Sequence, residues 1–195
     1  MTAIVDYRAG NLTSVKYALD ALGEASCVTS DAKRIAAADR VIFPGVGAAK
    51  SAMQNLRALG LEEAVREAAG TKPFLGICLG MQILFEHTEE DGGVEGLGLV
   101  PGLVKRFPDG LSKIPQIGWN DVEPVPPAAP DAKREYYYFV HSYYAQVCPY
   151  TVGVTRYAGV DFTSIVRRGN ILACQFHPEK SGRAGLKLLE AWLKC

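Results

Sequence analysis

The 195-residue sequence carries no excess of either charge, since Lys plus Arg and Asp plus Glu both number 21. That balance supplies no overall field to draw nucleic acid or an anionic membrane. No apolar run reaches the length of a membrane span, and the opening MTAIVDYRAGNL lacks the apolar stretch of a secretory signal. A cytoplasmic protein is expected, with neither nucleic acid nor membrane as a partner. Metal-ligand spacing is missing too: the five cysteines, at 27, 78, 148, 174 and 195, form an odd set without paired spacing, and only three histidines are present. A chain of this size needs no covalent staples, so reduced thiols are expected rather than disulfides. The lone GVG at 45–47 lacks the spacing of a phosphate-binding loop. No metal, nucleotide or flavin motif stands out, and no cofactor is expected.

What is present is ordinary globular usage, 48% apolar and 22% charged residues, in a length that suits one well-packed domain spanning 1–195. The first 78 residues alternate strand and helix patterns. TAIVDY reads as a strand, and NLTSVKYALDALG as a helix with apolar residues at Leu12, Val15, Ala18, Leu19 and Leu22, closed by Gly23. ASCVTS, DAKRIAAA and RVIFPGVG continue as strand, helix, strand. The segment 48–70 reads as one helix, and KPFLGIC as the next strand. Such alternation implies an α/β fold with a mainly parallel sheet covered on both faces. After Gly92 strand-like runs dominate, split by Gly, Pro or Asn; they extend the sheet with hairpins before the helical SGRAGLKLLEAWLKC. The proline-rich EPVPPAAPDAKRE reads as an extended surface loop.

The sharpest local feature is FLGICLGMQILFE, residues 74–86. Residues 74–77 read as the end of a buried strand and Met81 to Glu86 as the first turns of a helix, which leaves Cys78 on the corner between them. A side chain there is presented above a parallel sheet, as in a nucleophile elbow. Gly76 and Gly80 bracket it at equal spacing and make the corner sterically possible. Without the glycines, a buried structural cysteine would be the better reading. An activated cysteine needs a base and a group to orient that base. His177 follows an apolar strand in ILACQFHPEKS, and Glu179 is two residues on, on the same side of an extended chain. Read alone, that segment is equally well a surface His and Glu beside a proline. For the oxyanion, the amide of Leu79 and those of Val46 and Gly47 in FPGVG are the candidate donors, although FPGVG alone suits an ordinary turn. His141 in FVHSYY suits ligand contact or a core role equally, and His87 suits a solvated surface.

PGVG, GICLGMQ, FVHSY and QFHPEKS, in this order, resemble the class I (triad) glutamine amidotransferases, whose fold is flavodoxin-like. IPQIGWN ahead of YYYFVHSYY narrows the resemblance to the glutaminase subunits of imidazole glycerol phosphate synthase, in histidine biosynthesis. The resemblance implies that Cys78 attacks glutamine through a thioester, that His177 moves protons and that Glu179 orients it. It places glutamine against Gln82, His141, Ser142 and Tyr143, with Glu90 near the α-amino group. It implies a heterodimer with a cyclase subunit, a (β/α)8 barrel that receives ammonia through a protected channel. Trp119, Asn120, Tyr138 and Lys180 are expected on the docking face. It also implies that the partner's ligand reshapes the PGVG strand, with Gly45 and Gly47 as its pliant points. The rival readings are a glutaminase of another biosynthetic complex, a cysteine peptidase on the same elbow, and a non-enzymatic flavodoxin-like module with Cys78 as redox sensor.

Overall fold

The computed structural model describes residues 1–126 and 132–195. The centre of the proline-rich stretch expected as a loop, residues 127–131, lies outside the described residues.

The strands β1 (Thr2–Val5), β2 (Ser26–Thr29), β3 (Arg40–Gly45) and β4 (Phe74–Cys78) fall where the alternation places them. Helices α1 (Leu12–Ala21) and α2 (Ala32–Ala37) each begin at a side-chain cap, Asn11 accepting from the Ser14 amide and Asp31 from that of Lys33. Such caps satisfy amides that the first helical turn leaves without partners. The helix expected over 48–70 is two: α3 (Ala49–Ala58) and α4 (Glu62–Thr71), separated by Gly60 at φ +66°. A glycine in the left-handed region ends a helix, while the apolar spacing on either side continues without a visible break.

A second difference follows the cysteine. The helix expected over Met81 to Glu86 is a single turn, α5 (Leu79–Gln82), and the chain then runs as strand β5 (Phe85–Thr88). Met81, Gln82, Ile83, Leu84 and Phe85 are all buried, so the run has no polar face, and periodicity cannot distinguish helix from strand in such a stretch. Beyond it lie β6 (Val94–Glu95), β7 (Val100–Arg106), β8 (Gln116–Pro124), β9 (Glu135–His141), β10 (Tyr143–Ala145), β11 (Thr151–Tyr157), β12 (Val160–Arg168), β13 (Ile171–Cys174) and helix α6 (Gly182–Leu193).

The central strands run β2-β1-β3-β4-β13, all parallel to one another. From β12 onward the pairing is antiparallel except for β5 beside β7, which is parallel, and β11, β8 and β9 branch from β12 as an antiparallel hairpin layer. Apolar side chains alternate across the central sheet. Ala3 and Val5 join Ile35, Met53, Leu56 and Val65 of α2, α3 and α4 on one face; Ile4 joins Val15 and Leu19 of α1 and Leu189 and Trp192 of α6 on the other. This is the expected mainly parallel central sheet with helices on both faces and hairpins added by the C-terminal half. Its consequence for function is positional. The carboxyl ends of β3, β4 and β13 lie side by side, in register at Gly45 with Cys78 and at Cys174 with Ile77, and open parallel sheets bind ligands at such an edge.

Candidate active site

Cys78 ends β4 with φ +55° and ψ −113°, a strained backbone for a non-glycine residue. Its two bracketing glycines are sterically required. A Cβ at Gly80 would lie 1.9 Å from the Phe43 carbonyl oxygen, and one at Gly76 would lie 3.0 Å from the Ala173 Cβ and 2.9 Å from Leu84 Cδ1. Close packing of α5 against β3, and of β4 against β13, therefore holds the elbow in place. Gly45 has the same kind of role: a Cβ there would stand 2.3 Å from the Tyr7 hydroxyl and 2.8 Å from the Gly80 nitrogen. Gly45 is thus a close-contact position paired with Cys78, whereas Gly47, at φ +94° with open space around it, is the pliant point of the two.

His177 and Glu179 meet as expected, though by a different route. His177 is extended, but Pro178–Lys180 forms a 3-10 turn, so the turn rather than strand parity brings the carboxylate round. His177 Nδ1 donates to Glu179 Oε1 at 2.8 Å, with both side chains almost fully buried. The other ring nitrogen has no hydrogen-bond partner among the described residues, and the Cys78 sulfur lies near enough to the ring to raise its pKa. Burial alone would favour the neutral ring; the Cys78 sulfur and the Glu179 carboxylate on either side outweigh it and push His177 up to about 10. Ser181 clamps the turn, donating to the His177 carbonyl at 2.6 Å and accepting the Tyr138 amide at 2.9 Å. The His177 amide in turn donates to the Tyr138 carbonyl at 2.9 Å. Gly185 lets α6 approach, since a Cβ there would lie 1.9 Å from the Pro178 carbonyl oxygen.

A cleft of about 300 Å³ opens over the sulfur, and Val46, Gly47, Cys78, Leu79, Gln82, Glu90, His141, Ser142, Tyr143 and His177 all line it, joined by Pro115 and Val140. Gln82 is buried and donates both amide hydrogens internally, to the Tyr143 carbonyl at 2.8 Å and to Gln175 Oε1 at 3.0 Å, which leaves its carbonyl oxygen to serve the cleft. The Tyr143 carbonyl also accepts from His141 Nδ1 at 2.7 Å. Burial holds His141 down at about 4, against a smaller opposing effect of that hydrogen bond, so the ring is neutral. Gln116 Oε1 is placed 3.0 Å from Nε2; with the proton on Nδ1, Nε2 is an acceptor, so the contact is satisfied when the Gln116 amide is turned to present its NH2 group. Glu90 sits half-buried, with Oε2 accepting the Ala49 amide at the start of α3 at 2.7 Å. Burial, opposed by that amide and aided by Asp91, raises its carboxyl above the usual range.

The expected docking residues divide. Trp119 and Tyr138 face each other across β8 and β9, with ring centroids 6.3 Å apart and the indole 57% exposed. Exposed Ile117 and Tyr136 share that face, and Lys180 is exposed beside it on the turn that Ser181 ties to β9. Asn120 does not join them. As the immediate neighbour of Trp119 in a strand it takes the opposite face, where its amide donates to the Arg156 carbonyl at 3.1 Å. Two further residues had little sequence signal. Tyr7 is fully buried, with no partner for its hydroxyl among the described residues; burial, and then the nearby Cys78 sulfur, raise its phenol well above the usual range. Gln175, also fully buried, signals itself only as a polar residue ending an apolar strand.

A cysteine on a strained strand-end corner, a paired imidazole and carboxylate and a cleft over the sulfur are the parts that an amide-cleaving cysteine site on a parallel α/β sheet needs. A family model described as glutamine amidotransferase class-I matches residues 3–194, and the chain belongs to that class. Solved structures agree on the fold: a protein described as a glutamine amidotransferase superposes with TM-score 0.77 at 21% identity, covering 98% of this chain and 97% of its own. The PurLQS structure from Thermotoga maritima gives 0.72 at 19% identity, covering 99% and 97%. Within the class, the chain is 49% identical to the imidazole glycerol phosphate synthase subunit HisH of Dehalococcoides mccartyi, over 100% of this chain and 97% of that one. It is 49% identical to the HisH subunit of Carboxydothermus hydrogenoformans, over 97% of each. By that likeness it belongs to the HisH family of imidazole glycerol phosphate synthase subunits.

Proposed function

We propose that Cys78, His177 and Glu179 are the working triad of this glutaminase subunit of imidazole glycerol phosphate synthase. The observation that carries the assignment is the buried line from Glu179 through His177 to the Cys78 sulfur at the floor of the cleft. The imidazolium already holds the proton that departing ammonia requires. The Cys78 thiolate attacks the side-chain carbonyl carbon of glutamine, and the carbonyl oxygen takes the negative charge beside the amides of Leu79, Val46 and Gly47. The C–N bond breaks as His177 passes its proton to nitrogen, which leaves a thioester. Water, deprotonated by the now neutral His177, attacks that thioester; glutamate departs and the sulfur is restored. Glu179 holds the ring in the tautomer that this exchange needs.

Gln82, His141, Ser142 and Tyr143 hold the glutamine, and Glu90 meets its α-amino group. Ammonia passes to a partner, the cyclase subunit, which makes imidazole glycerol phosphate and aminoimidazole carboxamide ribotide. Trp119, Tyr138 and Lys180 dock on it, an assignment supported by the exposed aromatic face of β8 and β9. The whole chain, 1–195, acts as one glutamine amidotransferase domain in the cytoplasm. The test is glutamate release by the chain alone, with a cyclase subunit, and with that subunit plus its ribotide ligand. A rise across the three mixtures supports a gated glutaminase. Equal rates would remove the gating, and activity surviving Cys78→Ala would remove the triad.

A further inference from the structure

Gln175 sits immediately beyond β13, fully buried, between the nucleophile and the glutamine pocket. Its Oε1 accepts from Gln82 Nε2 at 3.0 Å, and its Nε2 donates toward the Cys78 sulfur at 3.8 Å. The direction of this chain is forced from one end. The Tyr143 carbonyl can only accept, so the Gln82 nitrogen faces it, and the second hydrogen of that nitrogen demands an acceptor from Gln175. The Gln175 amide must then turn its NH2 toward the sulfur. An apolar side chain would fill this end of β13 without the desolvation cost of a buried amide, so an explanation for the amide has to come from its two contacts. An N–H donor is worth more to an anionic acceptor than to a neutral one, and the sulfur is anionic when it attacks.

We propose that Gln175 is a positioning residue that fixes the Cys78 sulfur relative to Gln82, so that the nucleophile and the pocket wall share one hydrogen-bonded strut. The inference rests on the reading of Cys78 as nucleophile and Gln82 as pocket wall. It does not depend on which synthase receives the ammonia.

The experiment uses the full chain assembled with its partner subunit and the isosteric variant Gln175→Met, with Gln82→Met for comparison. Iodoacetamide labelling of the Cys78 peptide at one fixed pH, without glutamine, reads the sulfur alone. Steady-state kinetics read kcat and KM for glutamine. For Gln175→Met both the labelling rate and kcat are expected to fall about tenfold or more, with a thermal midpoint within a few degrees of wild type. For Gln82→Met, KM rises and Cys78 labelling falls part of the way toward the Gln175→Met rate, because the strut loses the contact that orients the Gln175 amide. Wild-type labelling and kcat in Gln175→Met would overturn the proposal. So would a loss of activity that tracks a matching loss of folded protein, which is what a purely structural amide would give. Should Gln175→Met fail to fold, Gln175→Asn withdraws the amide by one methylene and carries the same comparison. If wild type releases no glutamate, or Cys78→Ala still does, it is the triad reading that fails; normal wild-type turnover with an indifferent Gln175 would sink the strut alone.

Discussion

Cys78 and Cys174 close neighbouring parallel strands, Cys174 standing opposite Ile77, and both are buried, at 6% and 0% exposure. Their surroundings separate them. Cys78 occupies a strained corner at the floor of the cleft, with His177 beside its sulfur and a Gln175 amide aimed at it. Cys174 stays in regular strand geometry, packs in the apolar cluster with Phe176, and gives its S–H to the Phe176 carbonyl at 3.5 Å. Burial, reinforced by Glu179 and Cys78, pushes the Cys174 thiol well above its usual range, which keeps it neutral and inert. On the proposed reading burial does not decide reactivity. The corner makes the difference, because it takes one sulfur off the strand and sets it beside His177.

The largest effect comes from exchanging the roles of the two thiols. Cys78→Ala is expected to lower glutamate release by a factor of about 10⁴ or more. Cys174→Ala is expected to keep turnover within a few fold and to cost about 1–2 kcal/mol, read by denaturant midpoint. Next, Glu179→Gln leaves the sulfur in place but disturbs the tautomer of its base, so kcat should fall by roughly 10²–10⁴-fold.

A pH titration sharpens the contrast further. His177 is raised in the folded protein to about 10, above the roughly 6.5 of an unfolded chain. Its charged form therefore adds stability that is complete below the unfolded value and is lost as pH climbs through the folded one. Cys78→Ala removes one of its two partners, so the His177 ring resonance should titrate at lower pH than in wild type, and the alkaline loss of stability should begin earlier. In Cys174→Ala both should stay close to wild type. The smallest effect belongs to Tyr7→Phe. Its hydroxyl is buried without a partner among the described residues, and removing such a group is neutral or stabilising by up to about 1 kcal/mol; a clear drop in thermal midpoint would show that the hydroxyl is satisfied after all.

The corner at Cys78 was legible because its demands are local. Gly76 and Gly80 stand where a Cβ would strike Leu84 or the Phe43 carbonyl, and that need is written within two residues of Cys78. His177 and Glu179 are close in sequence, and only their turn was misread as extended. Asn120 was expected beside Trp119 and is not there, although strand parity spells it out: neighbours take opposite faces, and the parity that exposes Trp119 turns Asn120 away. The helix expected after Met81 failed because a uniformly buried run carries no periodic signal. Tyr7 and Gln175 lay beyond such reading. Each matters through a contact far away in sequence, Tyr7 beneath Gly45 and Gln175 between Cys78 and Gln82, and only the folded sheet brings those strand ends together.

The most direct measurement is the mass of the peptide carrying Cys78 after acid quench of the assembled protein during glutamine turnover. A γ-glutamyl group bound through sulfur at Cys78, absent from Cys174 and from the Cys78→Ala variant, is the expected result. Glutamate formed while Cys78 stays unmodified, with Cys78→Ala still active, would contradict it.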